Sequence, residues 1–367
     1  MDARTVGVEE ELLLVDPATR EVAPRSGQVL AAAEAQPHAD LLDHELFRHQ
    51  VETQTEPTAD LAELRRQLVA QRRAAGEAAE QVGLAVVASG TSPLAGGEPQ
   101  VTQDDRYLDM LDLYGEVLRP AGVCGMHVHV NVSSEEQGVR LIDAMAPWLP
   151  VLLAVTANSP YFEGRDTGYA TWRSRIWAQW PSAGPTEPFG SPAGYHAAGD
   201  WLIRSGAARD VAMLYYDARL SRGNPTMEIR VADVCTDPDD VLLVAALVRG
   251  LAQQELTAGL AGADAPLWRV EMLRAAHWRA ARYGLSAALL DPRTAEPAPA
   301  REVLDGLVDA VREQLEATGD IDLVTDAVPR VLSGAGASRQ RAAFERSGEL
   351  TAVVDDLVER TNACWRE

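Results

Sequence analysis

The chain opens on GVEEELLLVD, residues 7 to 16, where three adjacent glutamates run straight into four apolar residues. In a pleated strand, alternate side chains face opposite ways. Glu9 and Glu11 therefore share a face with Leu13, while Glu10 turns away with Leu12. Two carboxylates on one half-apolar face require a polar strand end in water, a neutralising arginine or a metal ion. A turn, DPATRE, leads to a short extended segment at 22 to 24. From Thr58 to about Val82 the spacing of Leu61, Leu64, Leu68 and Val69 predicts a helix capped by Thr58. LAVVASG, 84 to 90, reads as a buried strand and the stretch from Asp104 as a further helix. GMHVHVNV alternates as a strand and runs into a helix start, with Ser133 and Glu136 at capping-box spacing. Pro147 and Pro150 should bend or split that helix.

From Asn158 to Tyr195 the periodicity is lost in a run rich in glycine, proline and aromatic residues, the kind of long segment that usually serves function. VAMLYYDARLS and TMEIRVADV then predict a hairpin through SRGNP. Asp237 as cap and Pro238 at the first helical position begin a helical region that continues to the C-terminus, with AEPAPA, 295 to 300, as an internal linker. Strands interrupted by helices come first and helices last, which predicts an α+β fold with a mainly antiparallel sheet backed by helices. We expect a single domain over 1–367, mostly helical from 238 to 367. No glycine fingerprint of a Rossmann unit accompanies the strands.

Composition narrows the chemistry. With 367 residues the chain can bury a large core. No uninterrupted apolar run reaches the ~18 residues of a membrane span, and the N-terminus lacks the blocks of a signal peptide, so the expected location is cytoplasmic. The three cysteines, Cys124, Cys235 and Cys364, are odd in number and unrelated in spacing, and read as reduced packing residues. A net charge of −22 argues against a nucleic-acid or anionic-membrane partner. The sequence contains no lysine. Every fixed side-chain cation is an arginine, which excludes Walker-type phosphate binding, protein-kinase chemistry and Schiff-base catalysis.

The candidate chemistry lies on the strands. VETQT places Glu52 on one face with Gln54, with Glu45 and Glu56 nearby; a solvent-facing edge accounts for it equally well. His127 and His129 share one strand face with valines opposite, a sound two-ligand geometry that carbonyl-bonded core histidines also show. TMEIRVAD places Glu228 beside Arg230, with Met227, Ile229 and Val231 opposite, a pattern that a structural ion pair would also give. Together these acids, imidazoles and one arginine, each alternating with aliphatic residues, define a concave acidic face. Hard oxygen donors with one or two imidazoles favour Mg²⁺ or Mn²⁺ over Zn²⁺.

GVEEELLLVDP, VETQTEP, GMHVHVNV, DTGYATWRSRIWAQWP, PTMEIRVADV and HWRAARYGL, in that order over about residues 5 to 290, resemble the carboxylate-amine ligase family, the type 2 glutamate-cysteine ligases. The resemblance implies a funnel-like sheet related to the glutamine synthetase catalytic domain, ATP and two or more Mg²⁺ (or Mn²⁺) ions, small-molecule substrates (an amino acid and an amine) and a homodimer. ATP would phosphorylate a γ-carboxylate and an amine would displace the phosphate. The resemblance makes Glu9, Glu11, Glu52 and Glu228 metal ligands, with His127 or His129 completing a shell and Glu45 in reserve. It gives Arg230 to the transferred phosphoryl group, Arg173 and Arg175 to a substrate carboxylate or to closing over the site, with the 158 to 195 segment as lid, and Arg279 and Arg282 to nucleotide. Two rivals stand beside it. A metal-dependent amidohydrolase would add further histidines, for which His196 and His277 are the remaining candidates. A nucleotide-binding regulatory protein would keep the site without turnover.

Overall fold

The computed structural model describes residues 3–34, 41–260, 266 and 268–366. Its strands are β1 (Val6–Val15), β2 (Leu42–His44), β3 (Gln50–Gln54), β4 (Ala85–Val87), β5 (Gly125–Asn131), β6 (Tyr161–Phe162), β7 (Arg165–Asp166), β8 (Ala218–Leu220), β9 (Thr226–Asp233), β10 (Leu289–Leu290) and β11 (Pro297–Ala298). The helices are α1 (Ser26–Glu34), α2 (Leu61–Gln81), α3 (Asp105–Tyr114), α4 (Glu135–Met145), α5 (Leu149–Thr156), α6 (Arg173–Trp177), α7 (Pro192–Arg204), α8 (Pro238–Thr257), α9 (Val270–Tyr283), α10 (Ala300–Thr318), α11 (Ile321–Gly334), α12 (Gly336–Ser347) and α13 (Leu350–Arg366). Among the described residues one open sheet runs β2-β3-β1-β5-β9-β8, with β4 on β1, and all its pairs are antiparallel. The fold is the α+β class expected, an antiparallel sheet with helices packed on it.

Alternation on β1 decides what each face of the sheet does. Leu12 and Leu14 are fully buried with Glu10, and Glu10 is neutralised by the equally buried Arg72 of α2 at 2.5 Å. Arg72 also donates to the carbonyls of Cys235 and Thr236, so its donors are used where water cannot reach. The arginine alternative therefore holds for Glu10. Glu9 and Glu11 face the other way.

Three local expectations shift. The helix after VETQT begins at Leu61, with Asp60 and not Thr58 as its cap, because Thr58 exchanges both backbone hydrogen bonds with Val6. The capping box moves one residue along: Ser134 Oγ accepts from Gln137 N, and the Gln137 side chain accepts from Ser133 N. Of VAMLYYDARLS only Ala218–Leu220 pairs as a strand, and Val211–Met213 is a 3₁₀ turn. AEPAPA contains β11, paired with β10. The prolines split the apolar stretch at Ala146–Trp148 as expected. That stretch, Glu135–Thr156, is long and apolar enough to cross a bilayer, a possibility the unbroken-run criterion missed, yet 72% of its apolar window is buried inside the protein.

Candidate active site

Strand register builds the site. Glu11 lies opposite Glu52 across β1 and β3, and Glu9 opposite His127 across β1 and β5. His129 lies opposite Glu228 across β5 and β9, which in turn lies opposite Arg219 of β8. Cross-strand partners project to the same face. Residues distant in sequence are thus gathered on five neighbouring strands. A register shift in the β5–β9 pairing falls between Met126 and Val128, beside His127, a device that commonly re-aims side chains at functional sites.

Distances divide the cluster into two regions. In one, ligand atoms of Glu11, Glu45 and Glu52 lie within 4.8 Å of one another, as do those of Glu9, Glu52 and His127, so Glu52 belongs to both groups. Burial and then the charge of Glu11 push the Glu45 carboxyl up to about 8, and burial with the charges of Glu45, Glu9 and Glu11 holds Glu52 well above the usual range. In the other region, Glu228 Oε1 sits 2.6 Å from both Arg230 Nη1 and Arg219 Nε. Burial alone would raise Glu228, but the charges of Arg230 and Arg219 prevail and bring it to about 2. Glu9 stands between. Burial opposes its ionisation, yet hydrogen bonds from His127 and His129 hold it far below the usual range. His127 Nδ1 lies 2.7 Å from Glu9 Oε2, and burial and then Arg230 lower the imidazole pKa.

These residues fit a hard divalent cation. Nε2 of His127 is buried with no hydrogen-bond partner among the described residues, while Nε2 of His129 lies 3.2 Å from Glu9 Oε1. The His127 nitrogen lies 3.7 Å from Glu11 Oε1. With Nδ1 committed to donate to Glu9, Nε2 turns a lone pair toward a carboxylate, an opposition that a cation resolves. Among the described residues no arginine forms an ion pair with Glu11, Glu45 or Glu52, and the charge of Arg230 only partly offsets their crowding, which points the same way.

The remaining arginines fall into three situations. Arg173 is buried, and its guanidinium reaches the carbonyls of Arg230 and Val231 at 3.4 Å beneath the Trp177 ring. Gly125 makes room for it, since a Cβ there would lie 2.1 Å from Arg173 Nη2. Arg175 and Arg230 line a cavity of about 570 Å³. Arg279 spends its Nε on the Ala288 carbonyl and stacks on Tyr283, while Arg282 stacks on Tyr169 and Tyr283. Among the described residues neither forms an ion pair with the carboxylate cluster. His196 is an exposed partner of Glu135, and His277 pairs with Asp217, so the additional histidine ligands an amidohydrolase would need are not supplied by these two. Arg219 and Asp217 escaped the sequence reading. DARL carries their signal, a strand alternation placing Asp217 and Arg219 on one face, hidden inside an assumed longer strand.

The irregular 158 to 195 segment is a packed wall. Asp233 accepts from Asn158 N, Ser159 Oγ and Thr171 Oγ1, and Trp180 is buried among Tyr114, Trp177 and Tyr215.

This fold, an open antiparallel sheet with helices packed on it, is shared with ligases of known structure. A bifunctional glutathione synthetase from Pasteurella multocida superposes with a TM-score of 0.71 at 16% identity, covering 98% of this chain and 52% of that one, so the chain spans about half its length. A glutamate–cysteine ligase from Francisella tularensis, solved in complex with AMP, gives 0.68 at 12% identity, covering 100% of this chain and 90% of that one. Sequence carries the relationship further. Residues 5–359 match Glutamate-cysteine ligase family 2 (GCS2). A Nocardioides sp. protein named "Putative glutamate--cysteine ligase 2-1" is 51% identical, over 99% of this chain and 97% of its own length. A Streptomyces avermitilis protein of the same name is 45% identical, over 98% and 99%. The chain belongs to glutamate-cysteine ligase family 2.

Proposed function

We propose that the protein is an ATP-dependent carboxylate-amine ligase that joins the γ-carboxylate of glutamate to an amine through an acyl phosphate. The observation that carries this reading is the polarised cluster: crowded, proton-retaining acids on one side, and a fixed pair of arginines on Glu228 at the other. Membership of the family and its ligase relatives support it. Glu9, Glu11, Glu52 and His127 would hold Mg²⁺ or Mn²⁺, with Glu45, His129 and Glu228 at the rim. The bound cation would supply charge neutralisation for the ATP phosphates.

This chain's own residues do the rest. Arg230, anchored by Glu228, presents a cation that cannot lose its proton to a transferring phosphoryl group. Arg219 holds the same Glu228 oxygen, so the Glu228–Arg230 pair is positioned before substrate arrives. The wall built by Arg173 and Trp180 limits the water that would hydrolyse an acyl phosphate. Protein incubated with ATP, Mg²⁺, glutamate and a mixed amine panel should release inorganic phosphate and form new amides detectable by mass. Glutamate-independent phosphate release, or amide hydrolysis without ATP, would refute the ligase reading.

A further inference from the structure

The Arg230-lined cavity contains more unpaired polarity than any structural role requires. Among the described residues, Arg173 Nε, Trp180 Nε1 and Arg230 Nε are buried without a hydrogen-bond partner, and Asp217 Oδ2 and His277 Nε2 face each other at 2.9 Å. All five belong to residues lining this single cavity. Buried polar groups in native proteins are paired, and three unpartnered donors beside a buried acid–imidazole pair around about 570 Å³ describe a binding site for a polar molecule of amino-acid size. Arg230 is also the wall shared with the carboxylate cluster, through Glu228.

The Asp217 and His277 pair has an unusual polarity. His277 Nδ1 lies 2.8 Å from the Leu273 carbonyl, which can only accept, so Nδ1 carries the hydrogen. In the neutral ring Nε2 is then a bare lone pair, and it faces Asp217 Oδ2 at 2.9 Å. Two acceptors pointed at one another at that distance form a place for a proton. Asp217 comes from the segment before β8 and His277 from α9. The charged groups around the pair are Arg173 and Arg175 on the wall, Arg230 on β9 and Arg274 on α9. Burial lowers the affinity of His277 for a proton and Asp217 more than restores it, while Arg175 opposes.

We propose that this cavity receives the amine acceptor and that the Asp217–His277 pair takes the proton its nitrogen loses. This assignment rests on the ligase reading and supplies the base that reading lacks. An amine arrives as an ammonium and gives one proton to the Asp217–His277 pair, which holds it between Asp217 Oδ2 and His277 Nε2. The freed nitrogen lone pair attacks the acyl-phosphate carbonyl carbon, the C–N bond forms, the C–O bond breaks and the electron pair leaves with inorganic phosphate. The second proton lost from nitrogen goes out with the phosphate. The arginines and the Trp180 N–H offer donors to oxygens elsewhere on the acceptor, which favours amines bearing an anionic group.

Hydroxylamine separates this role from a structural one, because it is largely unprotonated at neutral pH and needs no base before attack. Wild-type enzyme with ATP, Mg²⁺ and glutamate should form both alkyl amide and hydroxamate. His277→Gln should lose about 10²-fold in kcat with an alkyl amine but far less with hydroxylamine, and raising the pH should restore part of the alkylamine rate. Asp217→Asn should show the same selectivity and serves as the second variant if the first does not fold. Equal losses with both nucleophiles, or a raised KM for glutamate with an unchanged amine dependence, would overturn the assignment and leave the ligase reading intact. A wild-type enzyme forming neither product would instead sink the ligase reading.

Discussion

Replacing Glu52 with glutamine should stabilise the metal-free protein while removing its response to magnesium. Glu52 shares its surroundings with Glu11 and Glu45, ligand atoms of all three lying within 4.8 Å of each other. At an effective dielectric near 20, two unit charges at that separation repel by about 3.5 kcal/mol. One proton retained by the group at neutral pH relieves much of this, since Glu45 titrates at about 8. A net gain of ~1–3 kcal/mol at pH 8 is the expected remainder. Unfolding entropy of roughly 2.1 cal/mol/K per residue makes ~0.8 kcal/mol/K for a chain this long, so Tm should rise by ~1–4 °C. The assay is calorimetric melting in EDTA at pH 8 and pH 5.5, repeated with Mg²⁺. The stabilisation should fade at pH 5.5, where the acids already hold protons. Wild type should gain Tm with Mg²⁺ through linkage, and Glu52→Gln should gain little. A variant that melts lower at both pH values, with the wild-type magnesium shift intact, would show that no ion is held between these carboxylates.

Four further outcomes are expected. The stability of the metal-free wild type should fall as pH rises from about 4.5 to about 8, because Glu45 and Glu52 retain protons in the folded state that the unfolded chain has released. The ceiling from Glu45 alone is ~5 kcal/mol, and urea titrations at several pH values would measure it. Glu9 and Glu228 act oppositely, with a stabilisation present above about 4.5 and lost on acidification. Glu228→Gln should abolish amide formation and also cost ~2–4 kcal/mol in urea denaturation, since Arg219 and Arg230 lose their shared carboxylate. Arg72→Met should destabilise by ~3–5 kcal/mol, leaving Glu10 buried and unpaired, and Glu10→Leu in the same chain should recover most of it. Gly125→Ala should displace Arg173 and cost ~1–3 kcal/mol through overpacking, with circular dichroism melts as the readout.

Much of the sheet and its acidic face was legible from alternation alone. Period two placed Glu9 with Glu11, His127 with His129 and Glu228 with Arg230, and strand pairing preserved each pair. What alternation could not supply was register, since nothing local tells that Glu11 meets Glu52 or His129 meets Glu228. It also could not say which glutamate of EEE an arginine would neutralise. Arg72 lies in the middle of a helix whose arginines look alike in sequence, and only packing on the apolar side of β1 selects it. Cap positions slipped by one or two residues because neighbouring strands claimed the backbone first, as Val6 does at Thr58. His277 was unreadable for a related reason: its partner Asp217 lies sixty residues earlier in the chain and meets it only across the cavity.

The two faces of β1 solve the same electrostatic problem in opposite ways. Behind the sheet, Glu10 receives a dedicated arginine, both charges vanish from water, and all three guanidinium nitrogens donate. In front, among the described residues, Glu11, Glu45 and Glu52 have no dedicated arginine, and Arg230, whose charge reaches Glu45 and Glu52, is fixed on Glu228. If the front acids served stability alone, an arginine among them would be the simplest substitution in a chain that uses arginine for every cation. An unneutralised acid cluster beside a satisfied one within a single strand is a stability cost retained at a site. The charge missing from the front face is therefore one that must come and go with substrate, which a diffusible divalent ion can do and a tethered guanidinium cannot.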